Sequence, residues 1–197
     1  MRQLTHLAVL LLTPFLAFSC ASTSVRTFAN PGEATQAMVL AAESGNQEEA
    51  RRIFDSFARS SVQRDKVYAN LFNAAKTRYE RGDGGAAASI LQLVTAEYPA
   101  AVAAQEALVY ALFVERAGAE GPSEGQTESM ATAIYAAREA STQRSPWVDL
   151  AATQVAIDRG DTSGARAEFD VFLQGWDGEP SGLLPYVEDI DRYLQSH

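Results

Sequence analysis

Cysteine and histidine are nearly missing from this chain of 197 residues: Cys20 is its one cysteine, and His6 and His197 are its two histidines. A disulfide within the chain is thereby excluded, and a zinc site or a His-based catalytic triad lacks the ligands and bases that it needs. Basic charge is also short, with 16 Lys and Arg against 25 Asp and Glu and a formal net charge of -9, which argues against nucleic acid as a partner. No apolar run reaches the roughly 20 residues that span a bilayer. Even the apolar stretch 7–18 is short and contains Thr13 and Pro14. Runs of β-branched residues are few and alanine is plentiful, so helix is the expected state throughout. What the chain does have is 47% apolar residues, enough for one compact domain or a short repeat array with a core of its own.

Residues 1–19 carry one formal charge, Arg2, ahead of that apolar stretch, the arrangement of an export signal and its h-region. They are set apart from the fold. The segment ends Leu16-Ala17-Phe18-Ser19-Cys20, which resembles a bacterial lipoprotein signal: a small residue precedes a cysteine that is diacylated on sulfur and becomes the new N-terminus. Two positions depart from that pattern, since Ala17 stands where Leu is usual and Phe18 is bulkier than the usual Ala or Ser. Ala17 and Ser19 also suit ordinary cleavage before Cys20, which would leave a soluble protein with an unpaired thiol. The resemblance implies lipidation of Cys20, and acyl chains at about 0.8 kcal/mol per buried methylene would hold the protein on a membrane. Ala21, in place of the Asp that marks inner-membrane retention, points to the outer membrane, with the protein facing the periplasm. Residues 20–30 are small and polar, without a helical stripe, and read as a tether.

Charge is unevenly spread. Residues 51–81 hold eight basic side chains against Asp55, Asp65 and Glu80, a net of plus five. Residues 82–197 hold six basic and eighteen acidic, a net of minus twelve. The molecule is therefore expected to be electrically polar along its length.

Three stretches share one spacing: Gly45-Asn46 with Ala50, Phe54 and Phe57; Gly82-Asp83 with Ala87, Leu91 and Val94; Gly160-Asp161 with Ala165, Phe169 and Phe172. In each, a Gly-polar turn precedes a small residue and two large apolar ones on a single helical face. Gly45 and Gly82 are 37 residues apart and Gly82 and Gly160 are 78, so a unit without the glycine sits between the last two. The periodicity predicts helices over 33–44, 47–60, 65–81, 84–98, 101–118, 127–143, 146–159, 162–174 and 184–195.

The stretch LFNAAKTRYERGDGGAAASILQLVTAEYP, residues 71–99, resembles a tetratricopeptide repeat. It has the small residues of the first helix at Ala74 and Ala75, the turn at Gly82-Asp83, the tight crossing at Ala87, the large apolar pair at Leu91 and Val94, and the boundary proline at Pro99. Residues 31–64 and 146–179 match less fully, and the unit 102–145 departs most, with a long Gly/Pro/Glu loop at 119–126 in place of the turn. The resemblance implies an all-α fold: a right-handed α-solenoid of about four tetratricopeptide-like hairpins over 31–182. The amphipathic segment 183–197, with Leu183, Leu184, Tyr186, Val187, Ile190 and Leu194, then serves as a C-terminal capping helix.

In such solenoids the first helix of each pair lines the concave side. By alignment from the turns, the resemblance assigns to that groove Phe72, Asn73, Lys76 and Tyr79 in the second unit, Tyr110 and Phe113 in the third, and Trp147 and Leu150 in the fourth. An aromatic wall with a few polar groups is the chemistry of a binding surface. The competing reading places some of these rings in the inter-helix core or under the last helix. A clamp for a peptide carboxylate is incomplete, because Thr35, Val39, Ala103 and Ala107 stand where Lys and Asn would be required beside Asn73 and Lys76. Arg52 and Arg59, two turns apart, form a basic strip that either meets an acidic partner or membrane surface or simply solvates a helix face.

Gly82-Asp83-Gly84-Gly85 follows a helix and lacks the Lys-Ser/Thr of a phosphate loop, and neither Asp189 with Asp191 nor Asp158 with Asp161 has calcium-loop spacing. No catalytic residue, metal site or cofactor is expected. The sequence thus reads as a lipid-anchored, non-enzymatic adaptor for a protein partner in a bacterial envelope assembly. The alternative is capture of a small apolar molecule for a transporter.

Overall fold

The computed structural model describes residues 28–119, 121, 123–178 and 181–197. The expected signal segment, Cys20 and the tether up to residue 27 lie outside the described residues. The described residues are all-helical: α1 (Pro31–Glu43), α2 (Gln47–Phe57), α3 (Ser61–Glu80), α4 (Gly84–Glu97), α5 (Val102–Ala117), α6 (Glu124–Ala140), α7 (Pro146–Asp158), α8 (Thr162–Gly175) and, after a single 3-10 turn (Ser181–Leu183), α9 (Leu184–Ser196). Consecutive helices pair as α1 with α2, α3 with α4, α5 with α6 and α7 with α8. Across pairs, α1 also meets α3 and α4, α2 meets α4, α4 meets α5, and α5 and α6 both meet α7.

The repeated Gly-polar motif acts the same way at all its occurrences. Gly45, Gly82 and Gly160 have φ of 78°, 79° and 72°, the left-handed conformation that a residue without Cβ adopts freely. This reversal lets the next amide reach back to a carbonyl the ending helix leaves unpaired: Asn46 N–H to Ala41 O at 2.9 Å, Asp83 N–H to Arg78 O at 3.0 Å, and Asp161 N–H to Ala156 O at 2.9 Å. The same polar residue then caps the following helix, its side-chain oxygen accepting from the amide of Glu49, Ala86 or Gly164. Ala50, Ala87 and Ala165 are each fully buried where the paired helices cross, and Phe54, Val94 and Phe172 are fully buried further along the same faces. At Gly84 a Cβ would lie 3.0 Å from the carbonyl oxygen of Ala111 and 3.2 Å from the amide of Glu115, so the start of α4 rests directly on the α5 backbone.

The third pair lacks this turn, and its connection differs from the sequence expectation. Gly118, at the end of α5, has φ of -81°. The Ser123 side chain accepts from the Gln126 amide at 3.2 Å, and Glu124 lies in the first turn, where the helix dipole favours an acid. Helix α6 therefore begins at Glu124, and the last three residues expected in the loop are helical.

The amphipathic character of the last segment appears in α9, which buries Val187, Ile190 and Leu194, with Leu183 just ahead of them. Arg166 of α8 holds its end by donating to the carbonyl of Leu194 at 2.6 Å.

Candidate interaction groove

The first helices of the second, third and fourth pairs bring an aromatic ladder together. Tyr79 of α3 meets Tyr110 of α5 with ring centroids 4.8 Å apart, and Tyr110 meets Trp147 of α7 edge-on at 4.9 Å. All three rings are half-buried. Phe72 lies on the same side of α3, stacked at 5.9 Å on Tyr68. Phe72, Tyr79 and Tyr110 wall a cavity of about 170 Å³ between α3, α4 and α5, whose remaining lining is Ala75, Lys76, Leu91, Ala107 and Ala111. The cavity exists because Ala75, Ala107 and Ala111 are small where α3 and α5 face each other. Lys76 stands over it with an exposed side chain, 3.7 Å from Glu80.

Burial, and after it hydrogen bonding to Tyr110, raises the Tyr79 phenol above its ordinary pKa of 10.0. The Tyr79 hydroxyl therefore stays a donor well past neutral pH.

The sequence-assigned groove residues divide in the structure. Phe72, Lys76, Tyr79, Tyr110 and Trp147 converge on the ladder and its cavity, whereas Asn73 is exposed and is not part of this cavity's lining. Phe113 and Leu150, 3% and 1% exposed, are packed inside. Phe113 is covered by Tyr186 of α9, with ring centroids 5.3 Å apart. Tyr186, Ala75 and Ala107 are not among the groove residues assigned from sequence: Tyr186 belongs to the capping segment, Ala75 to the small residues of the first helix, and Ala107 to a position where a clamp would need Lys or Asn. The alanines sit one helical turn from Tyr79 and Tyr110, a small residue beside a ring on one face, and that pairing is their sequence signal.

Of the basic strip, Arg52 is exposed and pairs with Glu49 one turn earlier, while Arg59 is exposed and has no ion pair among the described residues. The more buried charges bind helices to one another. Arg116 holds Asp158 in a two-pronged bridge, and Gln154 donates to the same carboxylate at 2.9 Å. Arg138 joins Asp149 of α7 to Glu168 of α8 at 2.9 and 2.7 Å. Asp158 thus has its oxygens taken by neighbouring side chains. Among the described residues no three His, Cys, Asp or Glu side chains cluster as metal ligands, and no described helix is long and apolar enough to cross a membrane.

No protein-family model, no curated protein and no solved structure matches this chain. The likeness to tetratricopeptide repeats stands on the residues quoted above.

Proposed function

We propose that this protein is a non-enzymatic adaptor that holds a protein partner in the cell envelope. In this reading its helix pairs form a right-handed α-solenoid of about four tetratricopeptide-like units capped by α9. Cys20 is the lipid anchor on the outer membrane, and the folded part faces the periplasm. The observation that carries the reading is the half-exposed ladder Tyr79, Tyr110 and Trp147, contributed by the first helices of three successive pairs. Rings of this kind give a partner large contact area and lose few rotatable bonds on binding.

The test is crosslinked capture of the membrane-bound protein from its own cells, comparing wild type with Tyr110→Ala/Lys76→Glu. A partner lost from the double variant, with its circular dichroism unchanged, is the expected result. A partner list unchanged by the variant would move the site to Arg52 and Arg59 or to the α5–α6 connection. The second reading, capture of a small apolar molecule for a transporter, draws on the cavity of about 170 Å³. It would replace the first if no partner were captured and an apolar compound copurified.

A further inference from the structure

Along α5 the ring-bearing face is filled at one end by the chain's own last helix and opens into a cavity at the other. At the filled end the chain's own α9 sets Tyr186 edge-on against Phe113, 5.3 Å away, and exposes Glu188 and Asp189 just beyond. At the open end lies the largely apolar cavity of about 170 Å³ between Phe72, Tyr79 and Tyr110, a size that admits a benzene-sized group.

Charge completes the picture of what enters. Of the basic side chains of α3, Arg64 is paired with Glu97 of α4 and Arg78 with Glu43 of α1, whereas Lys76 has no ion-pair partner outside its own helix among the described residues. Lys76, at the cavity, is held by Glu80 alone, at 3.7 Å with side chains 64% and 60% exposed. Such an exposed pair is weak and yields to an incoming carboxylate.

We infer that this cavity is the anchor site for a segment of the partner protein, which inserts one aromatic or branched aliphatic side chain beside Phe72 and Tyr110 and presents an adjacent acid to Lys76. The inference rests on the adaptor reading above and names its partner's chemistry.

The test uses the full chain with two probes, 3-phenylpropionate and 3-phenylpropylamine, followed by the ring resonances of Tyr79 and Tyr110. The acid should bind more tightly than the amine by up to about fivefold, the most that one exposed charge contact supplies. Lys76→Glu should reverse that order, and Ala107→Phe, which fills the cavity, should abolish both. If Ala107→Phe fails to fold, Phe72→Ala, which removes one wall, should weaken both probes. Absence of any ring shift, or probe binding unchanged in Ala107→Phe or Phe72→Ala, would overturn the anchor site. A partner still captured by folded Ala107→Phe would overturn it too, while leaving the adaptor reading intact. Probe binding with no captured partner, and a small molecule held in the cavity by native mass spectrometry, would overturn the adaptor reading itself.

Discussion

Arg116 grips Asp158 with two N–H···O bonds of 2.8 Å each, joining the last turns of α5 and α7 across 42 residues of chain. The two side chains are 14% and 1% exposed, so the bridge works largely out of water. Its geometry is the bidentate one that arginine alone provides, and Gln154 supplies a further donor to the carboxylate.

Arg116→Ala should therefore cost far more than a surface change. It leaves the Asp158 carboxylate buried without its cation, a loss of about 3–5 kcal/mol. Arg116→Met combined with Asp158→Leu removes both charges and should recover most of that loss. Urea unfolding of the three proteins decides it. Equal stability of the single and double variants would mean that the buried charge is not what the single variant suffers from.

The Gly-polar turns give a second measurable contrast. Gly82→Ala places a side chain at φ of 79° and should cost about 1–2 kcal/mol, although nothing lies within 4 Å of the new Cβ. Gly84→Ala fails for a different reason, since its Cβ would stand 3.0 Å from a backbone oxygen of α5 that cannot turn aside. Gly125→Ala, in α6 with open space around it, should instead gain roughly 0.5–1 kcal/mol. Thermal unfolding of the three variants should rank them in that order of sign, and a stable Gly84→Ala would show that α4 can move off α5.

These turns were legible in the sequence because their cause is local. A glycine that reverses the chain and a polar residue that caps the next helix need only their own neighbours, so the motif places three of the four hairpins and the buried Ala50, Ala87 and Ala165. The α6 start was misplaced because Ser123 caps it from inside a stretch rich in Gly and Glu, where no apolar period announces a helix. Bridges such as Arg116 to Asp158 depend on which helix ends meet in space, and linear spacing does not carry that. Helical phase brought Phe113 and Leu150 to the groove side along with Tyr110 and Trp147. Phase tells which side a residue faces, not how deep it lies or that α9 covers it.

Alkaline stability should depend on Tyr79. Its folded-state pKa lies above the ordinary 10.0, first through burial and then through Tyr110, so the folded protein holds this proton more tightly than the unfolded chain does. The stabilisation is complete below pH 10.0 and is lost as pH rises from there through the folded-state value. Tyr98, raised chiefly by burial, acts in the same direction. Urea midpoints should accordingly fall above about pH 10, and less steeply in Tyr79→Phe, which keeps the ring and removes the titrating group. Identical slopes in the two proteins would place the alkaline loss elsewhere.

Helix α9 should open before the rest of the protein does. Among the described residues its main contacts are with the 3-10 turn, α8 and the Phe113 ring. Helices α3 to α5, by contrast, each pack against neighbours on more than one side. Where every element contacts only those near it in sequence, an end element can unfold without carrying the others with it. Tyr186→Ala removes an edge-to-face ring pair of about 0.5–1.5 kcal/mol. Hydrogen exchange should then quicken at the amides of α9, less at α8, and not at α1 and α2. A uniform acceleration through all the helices would mean that the array unfolds as one cooperative body, and the solenoid reading would lose the quasi-linear behaviour on which it depends.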